Sequence, residues 1–281
     1  MGIEQAQMQK SIQQTLTQAK QQIPAFEAEI LLAFVLQKPR SYLRAFGEQA
    51  ISPTQQQQFL ELVERRLKGE PIAYLTGTKE FWSLPLHVNS AVLIPRPETE
   101  LLVELILQQF AANKIIRLAD LGTGSGAIAL ALAHERPQWS IIAVDKSLPA
   151  LDLARQNATA LKISNVEFLH SNWGEKLAPQ SVNIIVSNPP YLAPDDPHLQ
   201  QGDLRFEPQE ALMAAQNGLH DFRLIAAQAR KILTPGGALF FEHGYEQGPA
   251  VRAILQECGF IDIATHTDLA GHERVTRGIK H

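Results

Sequence analysis

The chain has 281 residues, 45% of them hydrophobic, with a formal net charge of −4 and a sequence pI of about 6.1. That length can bury one full-sized core and a smaller one, and the mild acidity argues against affinity drawn mainly from phosphate neutralisation. Cys258 is the only cysteine and the nine histidines are scattered, so an intrachain disulfide is excluded, a cytoplasmic location is expected, and no metal site is expected.

The start, Met1 to Gln7, is polar and lacks both a basic beginning and an apolar core, so no secretory signal is expected. Ile30 to Leu36 is apolar but too short to span a bilayer, and no membrane contact is expected. Residues 1–78 read as a helical domain. Ile12, Leu16 and Ala19 form one stripe, and Phe26, Ile30, Ala33 and Phe34 another, at helical spacing. Pro24 stands where a helix starts, and Ser52-Pro53-Thr54 opens one that runs to Gly69. Arg65, Arg66 and Lys68 are the densest basic cluster and read as the solvated end of that helix.

Residues 79–95 change character. Leu84, Leu86 and Val88 alternate with Pro85 and His87, and Asn89-Ser90 can turn the chain before Val92 to Ile94, which predicts a β-hairpin linker. Residues 96–281 then alternate strand and helix. A helix over Pro97 to Ala111 precedes a buried strand, Ile115 to Leu121, the loop Gly122-Thr123-Gly124-Ser125-Gly126 and a helix from Ala127. A second strand, Ser140 to Val144, ends in Asp145. Further strands are predicted at Val166 to Leu169, Val182 to Val186 and Ala238 to Glu242, with helices at Ser147 to Ala160, Asp221 to Leu233 and Gly248 to Cys258. That alternation predicts a mostly parallel, doubly wound sheet. Phe260 to Thr265 and Glu273 to Ile279 have no helix between them and are expected to pair antiparallel at one edge.

Strand, glycine loop and helix follow in the order of a nucleotide-type site. Ala127 stands where the third glycine of a dinucleotide fingerprint would fall, and Asp120 puts an acid at the loop entrance. An acid there disfavours a pyrophosphate and suits an amino-acid moiety, while Asp145 is spaced to hold ribose hydroxyls. S-adenosylmethionine carries both groups. Asn188-Pro189-Pro190-Tyr191 leaves the strand Val182 to Val186. Two prolines remove backbone donors there, Asn188 offers an acceptor oxygen and Tyr191 a flat face. That set suits a planar NH₂ group, whether of a glutamine side chain or of an adenine or cytosine base.

Asp120 to Gly126 together with Ser187-Asn188-Pro189-Pro190-Tyr191 resembles the HemK/PrmC glutamine-N5 methyltransferases. The resemblance extends to Gly69-Glu70-Pro71-Ile72-Ala73-Tyr74-Leu75-Thr76-Gly77, to Leu93 to Glu100, to Asp203 to Pro208, to Glu242-His243-Gly244 and to Glu273-Arg274-Val275-Thr276. It implies a seven-stranded S-adenosylmethionine-dependent methyltransferase (Rossmann-like) domain preceded by a small helical bundle that grips the substrate. It also implies cofactor contacts from Gly122, Thr123, Gly124, Ser125, Gly126, Asp145, Trp173 and Asn188. Asn188, Pro189, Pro190 and Tyr191 are expected to hold the substrate, with Asn188 Oδ1 and the Pro189 carbonyl accepting the two amide hydrogens. The implied substrate is a peptide chain release factor, methylated on the glutamine of its Gly-Gly-Gln loop, with no direct nucleic-acid contact.

Two positions depart from the pattern. Asn172 stands where the family often has Asp, which weakens acceptance from an adenine amine, and His87 falls where apolar residues are more usual. Arg96 is expected to pair with Glu98. The long segment Leu192 to Arg205, rich in Asp, Pro and Gln, is expected to cover the substrate entrance.

Overall fold

A computed structural model describes residues 10–281, so the polar Met1 to Gln7 segment lies outside the described residues. The chain divides into two compact units, the second of which is Thr78–His281.

In the first unit the helices are Ile12–Ala19, Ala25–Leu36, Arg40–Ala45, Pro53–Leu67 and Ile72–Thr76. Ser11 and Ser52 each open a helix through a reciprocal exchange with the glutamine three residues on, Gln14 and Gln55. Such capping boxes satisfy two amide groups that a helix start otherwise leaves unpaired. Ile12, Leu16, Leu31, Leu32, Phe59, Val63 and Leu75 fill the core. The second helix does not bury the expected stripe. Of that stripe only Ala33 is buried, beside Ala28, Leu31 and Leu32, while Phe26 is 58% and Phe34 39% exposed. Its sequence, AFEAEILLAFVL, is apolar nearly all round, so periodicity could not choose the buried side. The basic cluster is neutralised: Arg65 pairs with Glu70, Arg66 with Glu27 and Lys68 with Glu64.

The second unit opens with an antiparallel pair, β1 (Thr78–Phe81) and β2 (Leu84–His87). The hairpin therefore sits earlier than the sequence suggested, and Val92 to Ile94 is not a strand. Its two turn residues, Trp82 and Ser83, have φ of 52° and 59°. Two positive φ values in a two-residue loop match strand twist, but neither residue advertises that turn as Asn-Gly would.

Seven further strands make one sheet: β3 (Arg117–Leu121), β4 (Ser140–Asp145), β5 (Val166–His170), β6 (Val182–Ser187), β7 (Leu233–Glu242), β8 (Phe260–Thr267) and β9 (Glu273–Lys280). Their spatial order is β5-β4-β3-β6-β7-β9-β8. All neighbours are parallel except β9, which runs antiparallel to both β7 and β8. Both faces are covered, as a sheet reached by crossover helices requires. Leu102, Ile106, Leu130, Ile141, Ile184 and Phe240 pack on one face. Phe222, Ile225, Leu239, Phe241, Val251 and Leu255 pack on the other. The chain leaves β3 toward β4 and β5, then returns to β6, so the crevice at the carboxyl ends of β3 and β6 is a topological switch point.

The segment after Tyr191 is not an open loop. It folds into short 3₁₀ turns, Pro197–Gln200, Gly202–Phe206 and Gln209–Ala211, and Leu192 is stitched to Leu212 and Ala214 by backbone bonds of 3.0 and 2.9 Å. Among the described residues no helix is long and apolar enough to cross a membrane.

Candidate active site

The glycine loop turns on left-handed backbone. Gly122, Gly124 and Gly126 have φ of 78°, 55° and 85°, values a side chain disfavours. The Gly122 and Thr123 N–H groups both donate to the Val144 carbonyl at 2.9 Å, which fixes the loop against the end of β4. Asp120 lies beneath it, fully buried. Its Oδ2 accepts from Thr123 Oγ1 at 2.6 Å and from the Ala129 N–H at 3.2 Å, while Oδ1 has no partner. Burial pushes its carboxyl up to about 7, the nearby Asp145 charge adding to this and the two hydrogen bonds opposing it. Asp120 therefore holds the loop's shape from beneath, its side chain off the cavity wall.

That cavity, of about 560 Å³, is walled by Gly122, Gly124, Asp145, Lys146, Asn172, Trp173, Asn188 and Pro190, with Ala91 to Leu93 and Pro208 to Ala211 closing it. Thr123, Ser125 and Gly126 are not on its wall; they shape the turn behind it. Asp145 Oδ2 accepts the Gly124 N–H and Oδ1 the Ser147 N–H, both at 2.9 Å, so the carboxylate is fixed at the cavity edge. Trp173 lies against the loop so closely that a Cβ on Gly122 would stand 2.9 Å from Trp173 Cζ3. Asn172 Nδ2 donates to Glu175 at 2.7 Å, which turns its Oδ1 into the acceptor available to a ligand.

A second cavity, of about 630 Å³, adjoins the first. Arg96, Glu98, Pro189, Tyr191, Glu242, Gln247 and Arg274 line it. Asn188 lines both cavities. The Asn-Pro-Pro-Tyr segment is thus divided between them, with Pro190 facing the first and Pro189 and Tyr191 the second. Asn188 Nδ2 donates to Thr99 Oγ1 at 3.3 Å. The Tyr191 carbonyl accepts from Gln247 Nε2 at 2.9 Å. Burial raises its phenol to about 12, with the Glu242 charge adding, so the ring stays neutral.

Arg96 pairs with Glu207 and not with Glu98. Glu207 also accepts the Ile94 N–H at 3.0 Å, joining the Pro95-Arg96-Pro97 turn to the segment beyond Tyr191. His87 contributes its backbone: its N–H donates to Asn157 Oδ1 at 2.7 Å and its carbonyl accepts from Asn157 Nδ2 at 3.0 Å. Asn157 Nδ2 also reaches the Ser125 carbonyl at 2.9 Å. This fully buried asparagine ties the hairpin to the glycine loop. Nothing local signals it, beyond an asparagine inside a helix, where it is a poor helix former. His243 is buried beside Thr276 at 2.8 Å, away from both cavities. Among the described residues no group of three or more His, Cys, Asp or Glu side chains is placed to hold a metal ion.

Solved structures with the same fold include a methyltransferase from Pyrococcus furiosus, 16% identical, covering 77% of this chain and 96% of that one at a TM-score of 0.54. Another is the Thermus thermophilus 16S rRNA N2 G1207 methyltransferase in complex with AdoMet and guanosine, 20% identical, covering 73% and 50% at 0.53. At those identities they speak for the fold alone. Two family models match the chain, the PrmC N-terminal domain over residues 7–77 and the methyltransferase small domain over residues 98–203. Relatives called release factor glutamine methyltransferase occur in Salmonella typhimurium, 53% identical over 91% of this chain and 92% of theirs. In Vibrio cholerae the match is 49% identical over 96% and 94%, and in Escherichia coli it is 51% over 91% and 92%. Relatives this similar along nearly their whole length show that the chain belongs to the release factor glutamine methyltransferase family.

Proposed function

We propose that this protein transfers a methyl group from S-adenosylmethionine to the side-chain amide nitrogen (N5) of the glutamine in the Gly-Gly-Gln loop of peptide chain release factors, in the cytoplasm. The observation that carries the reading is Asn188 standing in the wall between two cavities. One cavity has residues that suit a nucleoside, and the other opens on Pro189 and Tyr191.

The first cavity suits the cofactor. Gly122, where a Cβ would clash with the ring, lets Trp173 lie close on the loop; Asp145 presents a carboxylate for ribose hydroxyls, Trp173 offers a face for adenine, and Asn172 Oδ1 an acceptor for its amine. When bound there, S-adenosylmethionine supplies an electrophilic methyl on a sulfonium. An amide nitrogen is a poor nucleophile, because its lone pair is delocalised into the carbonyl. Asn188 Oδ1 and the Pro189 carbonyl accept its two hydrogens and turn the developing lone pair toward the first cavity, while Tyr191 packs the glutamine stem. Positioning of this kind contributes several kcal/mol, roughly 7–11 at most, and the same acceptors favour positive charge growing on nitrogen. No base is needed before attack, since the nitrogen proton becomes acidic once methylated. The helical domain, residues 1–78, serves to grip the release factor, residues 79–95 link, and residues 96–281 carry the chemistry.

The experiment is transfer of labelled methyl to a release factor, to its loop Gln→Ala variant, and to duplex and single-stranded DNA in parallel. Label on the wild-type factor alone is expected. Label on nucleic acid with the factor untouched would move Asn188 to Tyr191 to base chemistry and sink the reading.

A further inference from the structure

Two parallel strands end side by side at the second cavity. Ser187 of β6 is level with Phe241 of β7, so the next residues, Asn188 just past β6 and Glu242 at the end of β7, are neighbours. Glu242 is 2% exposed, lines the cavity with Pro189 and Tyr191, and has Oε2 buried without a hydrogen-bond partner. Thr99 and Asn188 stand close enough to its carboxyl to favour the charged form, and Asn188 Nδ2 donates to Thr99 Oγ1 at 3.3 Å.

A carboxamide turned by 180° fills the same space with donor and acceptor exchanged. If Asn188 turned, its NH₂ would meet the substrate NH₂, donor against donor. Something beside Asn188 has to forbid that. An ionised carboxylate can only accept, so it draws in the Thr99 hydroxyl hydrogen and the Asn188 NH₂ and leaves Oδ1 outward. A protonated carboxyl has a hydrogen to give and can hold Oδ1 instead.

We propose that Glu242 is a positioning residue for methyl transfer, its carboxylate setting the rotation of the Asn188 carboxamide so that Oδ1 faces the substrate nitrogen. The inference rests on the reading of the second cavity as the acceptor site. The charged and titratable groups facing Glu242 are Glu98 from the turn Pro97–Thr99, Arg274 from β9 and Tyr191 beyond β6. His243, next along β7, faces Thr276. Burial pushes Glu242 up to about 7, with Thr99, Arg274 and Asn188 acting against it and Glu98 with it. The change of charge therefore falls where transfer is readily assayed.

The test compares full-length wild type with Glu242→Gln and Glu242→Ala, measuring kcat and KM on a release factor from about pH 5.5 to 8.5, with S-adenosylhomocysteine binding alongside. In wild type kcat should rise with pH through about 7. In Glu242→Gln kcat should be at least about tenfold lower and flat across that range, with KM and cofactor affinity moved less than about threefold. Its melting temperature at pH 8 should be no lower than wild type, because an amide in place of a buried charge relieves desolvation. Glu242→Ala should match Glu242→Gln in kcat. A wild-type kcat in Glu242→Gln, or a retained pH rise, would overturn the inference alone. Absence of transfer by wild type at any pH would overturn the functional reading and this inference with it.

Discussion

Glu207 holds Arg96 in an ion pair across 111 residues of sequence, and its own side chain is wholly buried. The second carboxylate oxygen takes the Ile94 N–H, so one residue holds both Arg96, on the wall of the second cavity, and the backbone of Ile94. Glu207→Ala leaves a cation and a backbone donor unpaired and should lower stability by about 3 kcal/mol. Glu207→Gln, which can keep the Ile94 bond, should lose less. Denaturant unfolding of the two variants against wild type measures this; an undiminished stability in Glu207→Gln would show that the ion pair contributes nothing beyond shape, and equal losses would show that the charge contributes everything.

Gly122→Ala and Gly124→Ala separate backbone strain from crowding. Both positions have positive φ, but a Cβ meets Trp173 only at Gly122, and at Gly124 meets nothing within 4 Å. Each should destabilise by about 1–3 kcal/mol through its left-handed backbone, Gly122→Ala the more because of the clash. Only Gly122→Ala, which displaces Trp173, should weaken S-adenosylhomocysteine binding by a further factor of about ten or more, roughly 1.4 kcal/mol. Calorimetric titration of both variants decides, and equal weakening would show that Trp173 does not hold the cofactor.

Asn188→Ala removes the acceptor that both cavities share. The expected loss is on the order of a hundredfold in kcat, with a smaller change in S-adenosylhomocysteine affinity, the pattern of an interaction made mainly in the transition state. Near-normal turnover would mean that the amide hydrogens are taken elsewhere.

Asp120 gives a pH dependence of stability with a definite sign. Its folded-state value of about 7 lies above the ordinary 3.8, so between these values the native protein keeps a proton that the unfolded chain has released. Stability from this group is full below about pH 4 and falls as pH rises to about 7, then levels. Glu242, raised from 4.5 to about 7, acts in the same direction. Glu29, lowered by Arg40 and Lys20, and Asp268, lowered by the His272 backbone and by Arg274, act only in more acid solution. Burial lowers His243 and His266, which opposes the trend near neutral pH, but the shifts of Asp120 and Glu242 are the large ones, so melting curves of ligand-free protein should show higher stability near pH 5 than near pH 8. Asp120→Asn should flatten part of that slope, and an unchanged slope would assign it to other groups.

The sequence made the local parts of the site readable and left the distant ones hidden. The glycine loop and Asn188 to Tyr191 each follow a buried apolar run, so strand ends and their contents could be read directly, as could the reversed final strand. Arg96 was matched to Glu98, two residues away, because the true partner lies far along the chain. Asn157 was silent for the same reason: its partners are the backbone of His87, 70 residues off, and of Ser125. The hairpin was displaced because Trp82 and Ser83 adopt a conformation their side chains do not announce. The second helix, apolar on every side, hid which face it buries. In each case tertiary contact decided what local pattern left open.

The strand order has a consequence for how such an enzyme can change over generations. Gly122, Asp145 and Trp173 of the first cavity follow β3, end β4 and follow β5, whereas Pro189, Tyr191 and Glu242 of the second follow β6 and end β7, on the other flank of the switch point. Only Asn188 among the Asn-Pro-Pro-Tyr residues belongs to both flanks. A lineage can therefore exchange one acceptor for another by rewriting a few strand ends on one flank, inheriting the donor flank unaltered, so long as that single asparagine is kept.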